Sequence, residues 1–380
     1  MIKRRISLGW LCMLAAMAIG SSLVWAQEPP KAEAPKPDEA KAPAGKPADL
    51  SKPVKVFILL GQSNMVGMGK ISGKEGSLES AVKEKKKYPY LVDAAGTWIE
   101  RKDVRFVRCM QGRGLLNNEW MAVKSGTIGP EFGIGHVVGD AIDAPVMILK
   151  SCIGNRSLGW DLLPPGSERY QAEVTERNGQ KVTKVFAGYK DRPDSWVMDG
   201  SKGTATEPPP WLDRNGKPID WYAGKQYDDD TADAKKVLAE LDKHCPGATQ
   251  YEVAGFFFWQ GEKDCGNAAH ASKYEENLVR FIKQLRKDFN APDAKFVLAT
   301  LGEATKGSGG NGGLVLNAQL AVDGTSGKYP EFKGNVATVY SNPLSLGGSG
   351  NGHYGGNAET YMNVGEAMGK AMVELLKNQK

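Results

Sequence analysis

The chain has 380 residues, of which 41% are apolar and 24% charged, and a formal net charge of +5. This composition excludes a fibrous or wholly disordered protein, and the length accommodates one large domain or two ordinary ones. Residues 1–52 hold eight Lys/Arg against five Asp/Glu, a surplus of three that leaves +2 for the rest; with no basic stripe interleaved with aromatics, nucleic acid is not an expected partner.

At the amino end, Lys3, Arg4 and Arg5 precede an apolar run from Ile6 to Trp25, and Val24-Trp25-Ala26 offers a cleavage site before Gln27. That order of regions predicts a signal peptide over residues 1–26 and a secreted or periplasmic product with no membrane contact after cleavage. An uncleaved anchor is the competing reading of so long a run. Residues 27–52 are Pro, Ala and charge with almost nothing to bury, which predicts a disordered, semi-extended linker. The folded domain is expected over residues 53–380. Beyond the signal, Cys109, Cys152, Cys245 and Cys265 permit two disulfides in three possible pairings. No pair has zinc-ligand spacing, so no metal site is expected.

From Val54 onward strands and helices alternate. "VKVFILL" reads as a strand buried on both faces. Helical spacing over Pro130–Ile142 is weakened by glycines. "PVMILKSC" from Pro145 is a second strand. Leu163 to Asp230 breaks the alternation: it is polar, rich in Pro and Gly, and dotted with Trp and Tyr. Such a length without structure is unusual inside a compact domain, so residues 163–230 are read as an insertion with its own small fold. Its aromatics either form a minor core or stack on sugar rings. A helix is expected over Thr231–His244, capped by Asp229, Asp230 or Thr231. "YEVAGFFFWQGE" from Tyr251, "KFVLATL" from Lys295 and "NVATVY" from Asn335 supply three more strands, with helices over Ser272–Phe289 and Ala358–Lys377. The alternation predicts an α/β sandwich with a mostly parallel sheet, whose ligands sit beyond the carboxyl ends of the strands.

That edge should bring together Ser63, residues 151–154, residues 260–264 and the loop after Tyr340. A serine hydroxyl is a weak nucleophile and needs a base, usually a histidine oriented by a carboxylate. The chain has four histidines. His136 falls in a helix-like stretch, His244 in a last helical turn and His270 in a polar loop. His353, in the glycine loop "GGSGNGHYGGN" before the last helix, is the one at the expected edge and is read as the base. "WQGEKD" delivers Gln260, Glu262 and Asp264 to the same edge, and Glu262 is read as the orienting acid with Asp264 as its rival.

"GQSNM" after one buried strand, "WQGEKD" after another and a late "HY" before a final helix resemble the SGNH-hydrolase superfamily, and within it the carbohydrate esterase family six and sialate O-acetylesterase-like branch. The resemblance implies a flavodoxin-like three-layer α/β/α sandwich and an esterase that removes acetyl groups from carbohydrates, of the acetylxylan or sialate type, without a cofactor. Carried over by position, it puts the nucleophile on Ser63 and the base on His353. The oxyanion hole falls on Ser63, Gly154 and the Gln260 side chain, with Gln62 and Asn64 contacting substrate. One departure stands out. Much of the superfamily has an Asp three residues before the histidine, where this chain has Gly350. The competing reading from another class is a non-catalytic glycan-binding module on the same fold.

Overall fold

The computed structural model describes residues 47–124, 126–198 and 208–378; the expected signal peptide and most of the expected linker lie outside them. The elements in chain order are β1 (Val54–Gly61), β2 (Glu100–Met110), β3 (Gly114–Ala122), α1 (Glu131–Ala141), β4 (Val146–Ser151), β5 (Tyr170–Thr175), β6 (Lys181–Phe186), β7 (Ser195–Val197), α2 (Lys225–Ala239), β8 (Tyr251–Trp259), α3 (Ala268–Asp288), β9 (Lys295–Ala299), α4 (Gly310–Ala321), β10 (Val336–Val339) and α5 (Ala358–Lys377).

The seven-stranded sheet runs β10-β9-β8-β1-β4-β2-β3. All neighbours are parallel except β3, which returns antiparallel along β2. Setting aside the β2–β3 hairpin at one edge, the parallel strands lie in the doubly wound order 2-1-3-4-5, the flavodoxin-like arrangement. The order reverses at β1, so crevices open beyond the carboxyl ends of β1 and β8.

Two apolar cores flank the sheet, and β1 contributes to both because successive side chains of a strand point to opposite faces. Val54, Val56, Ile58 and Leu60 pack with Ala234 and Val237 of α2, Tyr274 and Leu278 of α3, and Val315 and Leu316 of α4. Phe57 and Leu59 pack with Phe132 and Ile134 of α1 and with Met362 and Met368 of α5. The result is the expected three-layer α/β/α sandwich.

Several expectations need correction. Helix α2 begins at Lys225 behind Gly224, six residues before the expected start, so Asp229, Asp230 and Thr231 are inside the helix rather than caps. Helix α3 begins at Ala268, and His270 is in its first turn, not in a loop. The β2–β3 hairpin and α4 are additional elements. Among the described residues, Cys109, Cys152, Cys245 and Cys265 are free thiols. Within the inserted region, β5, β6 and β7 form a small antiparallel sheet. There Trp160, Leu163, Val185, Ala187, Trp196 and Ala223 make a third core, with Trp211 and Trp221 packed against it. Of the region's aromatics Trp196 and Tyr227 are buried, while Tyr170, Tyr189, Trp211, Trp221 and Tyr222 are half-buried.

Candidate active site

Strand β1 ends at Gly61, whose φ of 147° is a backbone state that side chains rarely adopt. A β-carbon there would also overlap the Trp259 carbonyl of β8. The glycine therefore lets the two central strands close together just before the chain turns. Gln62 is extended and Ser63 opens a single helical turn, Ser63–Val66. The last carbonyls of that turn have no partner within it. The fully buried Lys150 of β4 supplies one: its ammonium donates to Met65 O at 3.1 Å and Val66 O at 3.0 Å, and pairs with Glu131 at 2.6 Å. A buried cation of this kind is tolerated only when paired and fully hydrogen-bonded.

Glu262 lies beyond β8 and is 8% exposed. Its carboxylate accepts Gln62 Nε2 at 2.5 Å and Asn64 Nδ2 at 2.6 Å, clasping the residues on both sides of Ser63. Burial pushes the Glu262 carboxyl up to about 7, and the nearby Glu303 charge adds to the rise. Gly154, after β4, approaches Ser63 closely: a β-carbon on it would stand 3.5 Å from Ser63 Cβ. A cavity of about 790 Å³ opens over these residues, and Gln62, Ser63, Gly154, Glu262 and His353 all line it.

His353 arrives from the glycine loop between β10 and α5. Its φ is 54°, and Tyr354 repeats that value, a left-handed backbone uncommon outside glycine. Among the described residues no hydrogen bond joins the side chains of Ser63, His353 and Glu262 to one another; Glu262 is engaged by Gln62 and Asn64 instead. Hydrogen bonds between catalytic groups often tighten only in the substrate complex.

Two of the expected site residues are engaged inside the protein. Gln260 is fully buried, and its amide group donates to Arg156 O at 2.9 Å and Asp264 Oδ2 at 2.6 Å. Its amide protons are committed inside the protein, and it is not among the residues lining the cavity. Asn64 is also fully buried, bridging Glu262, Gly350 O and the Tyr361 hydroxyl. Through these bonds it ties the Ser63 turn to the Gly350 loop and to α5. Gln62 does reach the cavity, and its Oε1 has no partner among the described residues. Asp264, the rival acid, accepts the amides of Leu158 and Gly159 at 2.9 and 2.8 Å, and so anchors the turn after β4.

The remaining histidines fall into place by environment. Burial, with Arg101 beside it, drives the His136 imidazole down to about 3, so it is a neutral core residue. Burial also pulls His270 down, but the Asp194 carboxylate at 2.9 Å outweighs it and the net direction is up. His270, Asp194, Trp160 and Asp161 also line the cavity. None of the four was singled out from the sequence. For Trp160, Asp161 and His270 the only local signal was proximity to the Ser151–Gly154 and Gln260–Asp264 segments, and Asp194, inside the inserted region, had none.

The carboxyl-terminal part of the chain, residues 214–374, matches the family model described as carbohydrate esterase, sialic acid-specific acetylesterase. That span takes in Glu262 and His353 but not Ser63. No curated protein matches the chain. Among solved structures, a protein from Arabidopsis thaliana is 17% identical, with a TM-score of 0.46 and coverage of 86% of this chain and 99% of that one. A carbohydrate acetylesterase from Xanthomonas citri is 13% identical, with a TM-score of 0.43 and coverage of 83% and 55%. NanS is 13% identical, with a TM-score of 0.39 and coverage of 77% and 78%. Over residues 214–374 the chain is thus similar to the carbohydrate esterase, sialic acid-specific acetylesterase family.

Proposed function

We propose that the protein is an exported serine esterase that removes acetyl groups from carbohydrates, acting on an acetylxylan- or sialate-type substrate. Residues 53–380 form its esterase domain, with 163–230 inserted. The observation that carries the reading is the convergence of Ser63, Gly154 and His353 on one cavity, where the strand order reverses. The order of charged and apolar residues over 1–26 supports export. Among the described residues no helix is long and apolar enough to cross a membrane.

In this reading His353 takes the Ser63 proton as the hydroxyl attacks the ester carbonyl. The tetrahedral oxyanion is held by the backbone amides of Ser63 and Gly154 and collapses to an acyl-serine as the imidazolium of His353 returns that proton to the departing sugar alcohol. Water activated by the same imidazole then releases acetate. Glu262 keeps Gln62 and Asn64, and so Ser63 between them, in register.

The test is turnover of p-nitrophenyl acetate, followed by acetate release across a panel of acetylated glycans. Ser63→Ala should lose on the order of a thousandfold or more in kcat. A Ser63→Ala enzyme as active as its parent defeats the esterase reading. The glycan-binding alternative finds less support, because a module that only binds has no need of a serine and a histidine lining one cavity.

A further inference from the structure

The segment between β10 and α5 holds two successive non-glycine residues, His353 and Tyr354, in the left-handed region. Such backbone persists only where its surroundings over-determine it. The anchors can be followed along the loop. Near its start the Ser341 hydroxyl donates to Thr300 O at 2.6 Å, and Asn342 Nδ2 donates to Gly302 O at 2.8 Å. Both lie on the turn that follows β9.

At the histidine end the same turn contributes a side chain. Glu303 Oε2 accepts the Gly350 amide at 2.8 Å. The Gly350 carbonyl in turn accepts the His353 amide at 2.9 Å and Asn64 Nδ2 at 3.1 Å. Gly350 is therefore tied to Glu303 through its N–H, and to both His353 and the neighbour of Ser63 through its C=O. A β-carbon at 350 would stand 2.5 Å from Glu303 Oε2 and 2.7 Å from Glu262 Oε1, so glycine is what admits both carboxylates. Among the described residues Glu303 makes no ion pair and no other hydrogen bond. An exposed, flexible side chain is ordered here for a single contact.

We propose that Glu303 is a positioning residue for His353, acting through the Gly350 amide to fix the loop that carries the imidazole. The assignment rests on the esterase reading for its catalytic consequence, but not for its structural one. Glu303 does not touch the reacting atoms; it sets where His353 stands relative to Ser63. Misplacing a catalytic group by about an ångström can cost a hundredfold in rate.

The experiment uses the full chain with Glu303→Ala and Glu303→Gln, read by amide hydrogen exchange over residues 350–354 and by kcat and KM on p-nitrophenyl acetate. Glu303→Ala should lose exchange protection at Gly350 and His353. Its kcat should fall by between about ten- and a hundredfold with KM little changed. Glu303→Gln, whose amide oxygen still accepts the Gly350 N–H, should recover most of both losses. Parental exchange protection in Glu303→Ala overturns the proposal whatever the turnover. So does a lost kcat that Glu303→Gln fails to restore. If the parent hydrolyses no ester while Glu303→Ala still loses protection, the loop assignment stands and only the esterase reading falls.

Discussion

Glu262 is a carboxyl group in conflict with its surroundings. It is buried and faces Glu303, yet Gln62 and Asn64 donate to it as if it were ionised. Burial wins, and the folded group titrates at about 7 against an ordinary value of 4.5. The sign of the consequence follows from proton linkage. Between those two values the folded state binds more protons than the unfolded one, so stability is fully present below about 4.5 and declines as pH rises through about 7. Glu262→Gln removes this titration. The melting temperature of the variant relative to its parent should therefore move in the variant's favour between pH 5 and pH 8, as calorimetry would register. A gap that stays constant, or moves the other way, would show that the carboxyl is not raised. The residue was legible as a site candidate because "WQGE" ends a buried strand. Its clasp on Gln62 and Asn64 was not legible, since partners about two hundred positions away leave no local trace.

Helices α1 and α5 meet through glycines. A β-carbon on Gly133 would stand 2.6 Å from the Glu366 amide, and one on Gly365 would overlap the Pro130 carbonyl. On Gly369 it would stand 2.8 Å from Val137 Cβ. The glycines that weakened the helix signal over 130–142 are thus what lets the helices approach closely. Gly365→Ala gains up to about 1 kcal/mol of helix propensity but must displace backbone, and overpacking of this kind costs about 1–3 kcal/mol. It should lower the denaturant midpoint. Gly312 of α4 has open space where its β-carbon would go, so Gly312→Ala should raise the midpoint by the propensity term alone. Equal shifts for the two variants would refute the packing argument. The same physics explains which elements escaped the sequence. Helix α4 begins "GNGG", which reads as loop, and β2 and β3 carry charged and amide side chains at an edge of the sheet instead of a continuous apolar run. The buried strands were legible because both their faces are covered. Helix α2 was misjudged at its start because acids that favour caps lie inside it.

At the scale of the whole molecule, the two cores on opposite faces of the sheet decide the fate of the thiols. Cys109 and Cys245 belong to one core, with Cys265 packed against it, while Cys152 belongs to the other. Cys152 is thus separated from the rest by the sheet, and all four are free. An even cysteine count suggested staples, but staples matter most for domains too small to bury a core, and this chain fills two. Burial also raises the thiols: Cys109 up to about 11, and Cys152 and Cys265 up to about 12. At pH 8 the thiolate, which is the reactive form, is then a small fraction of each. Native protein should react slowly with Ellman's reagent, with Cys109, Cys152, Cys245 and Cys265 becoming titratable on unfolding in guanidinium. A reductant should leave the melting temperature where it was. A fall of several degrees on reduction would mean that a bridge carries part of the stability, and the division of labour between the two cores would have to be redrawn.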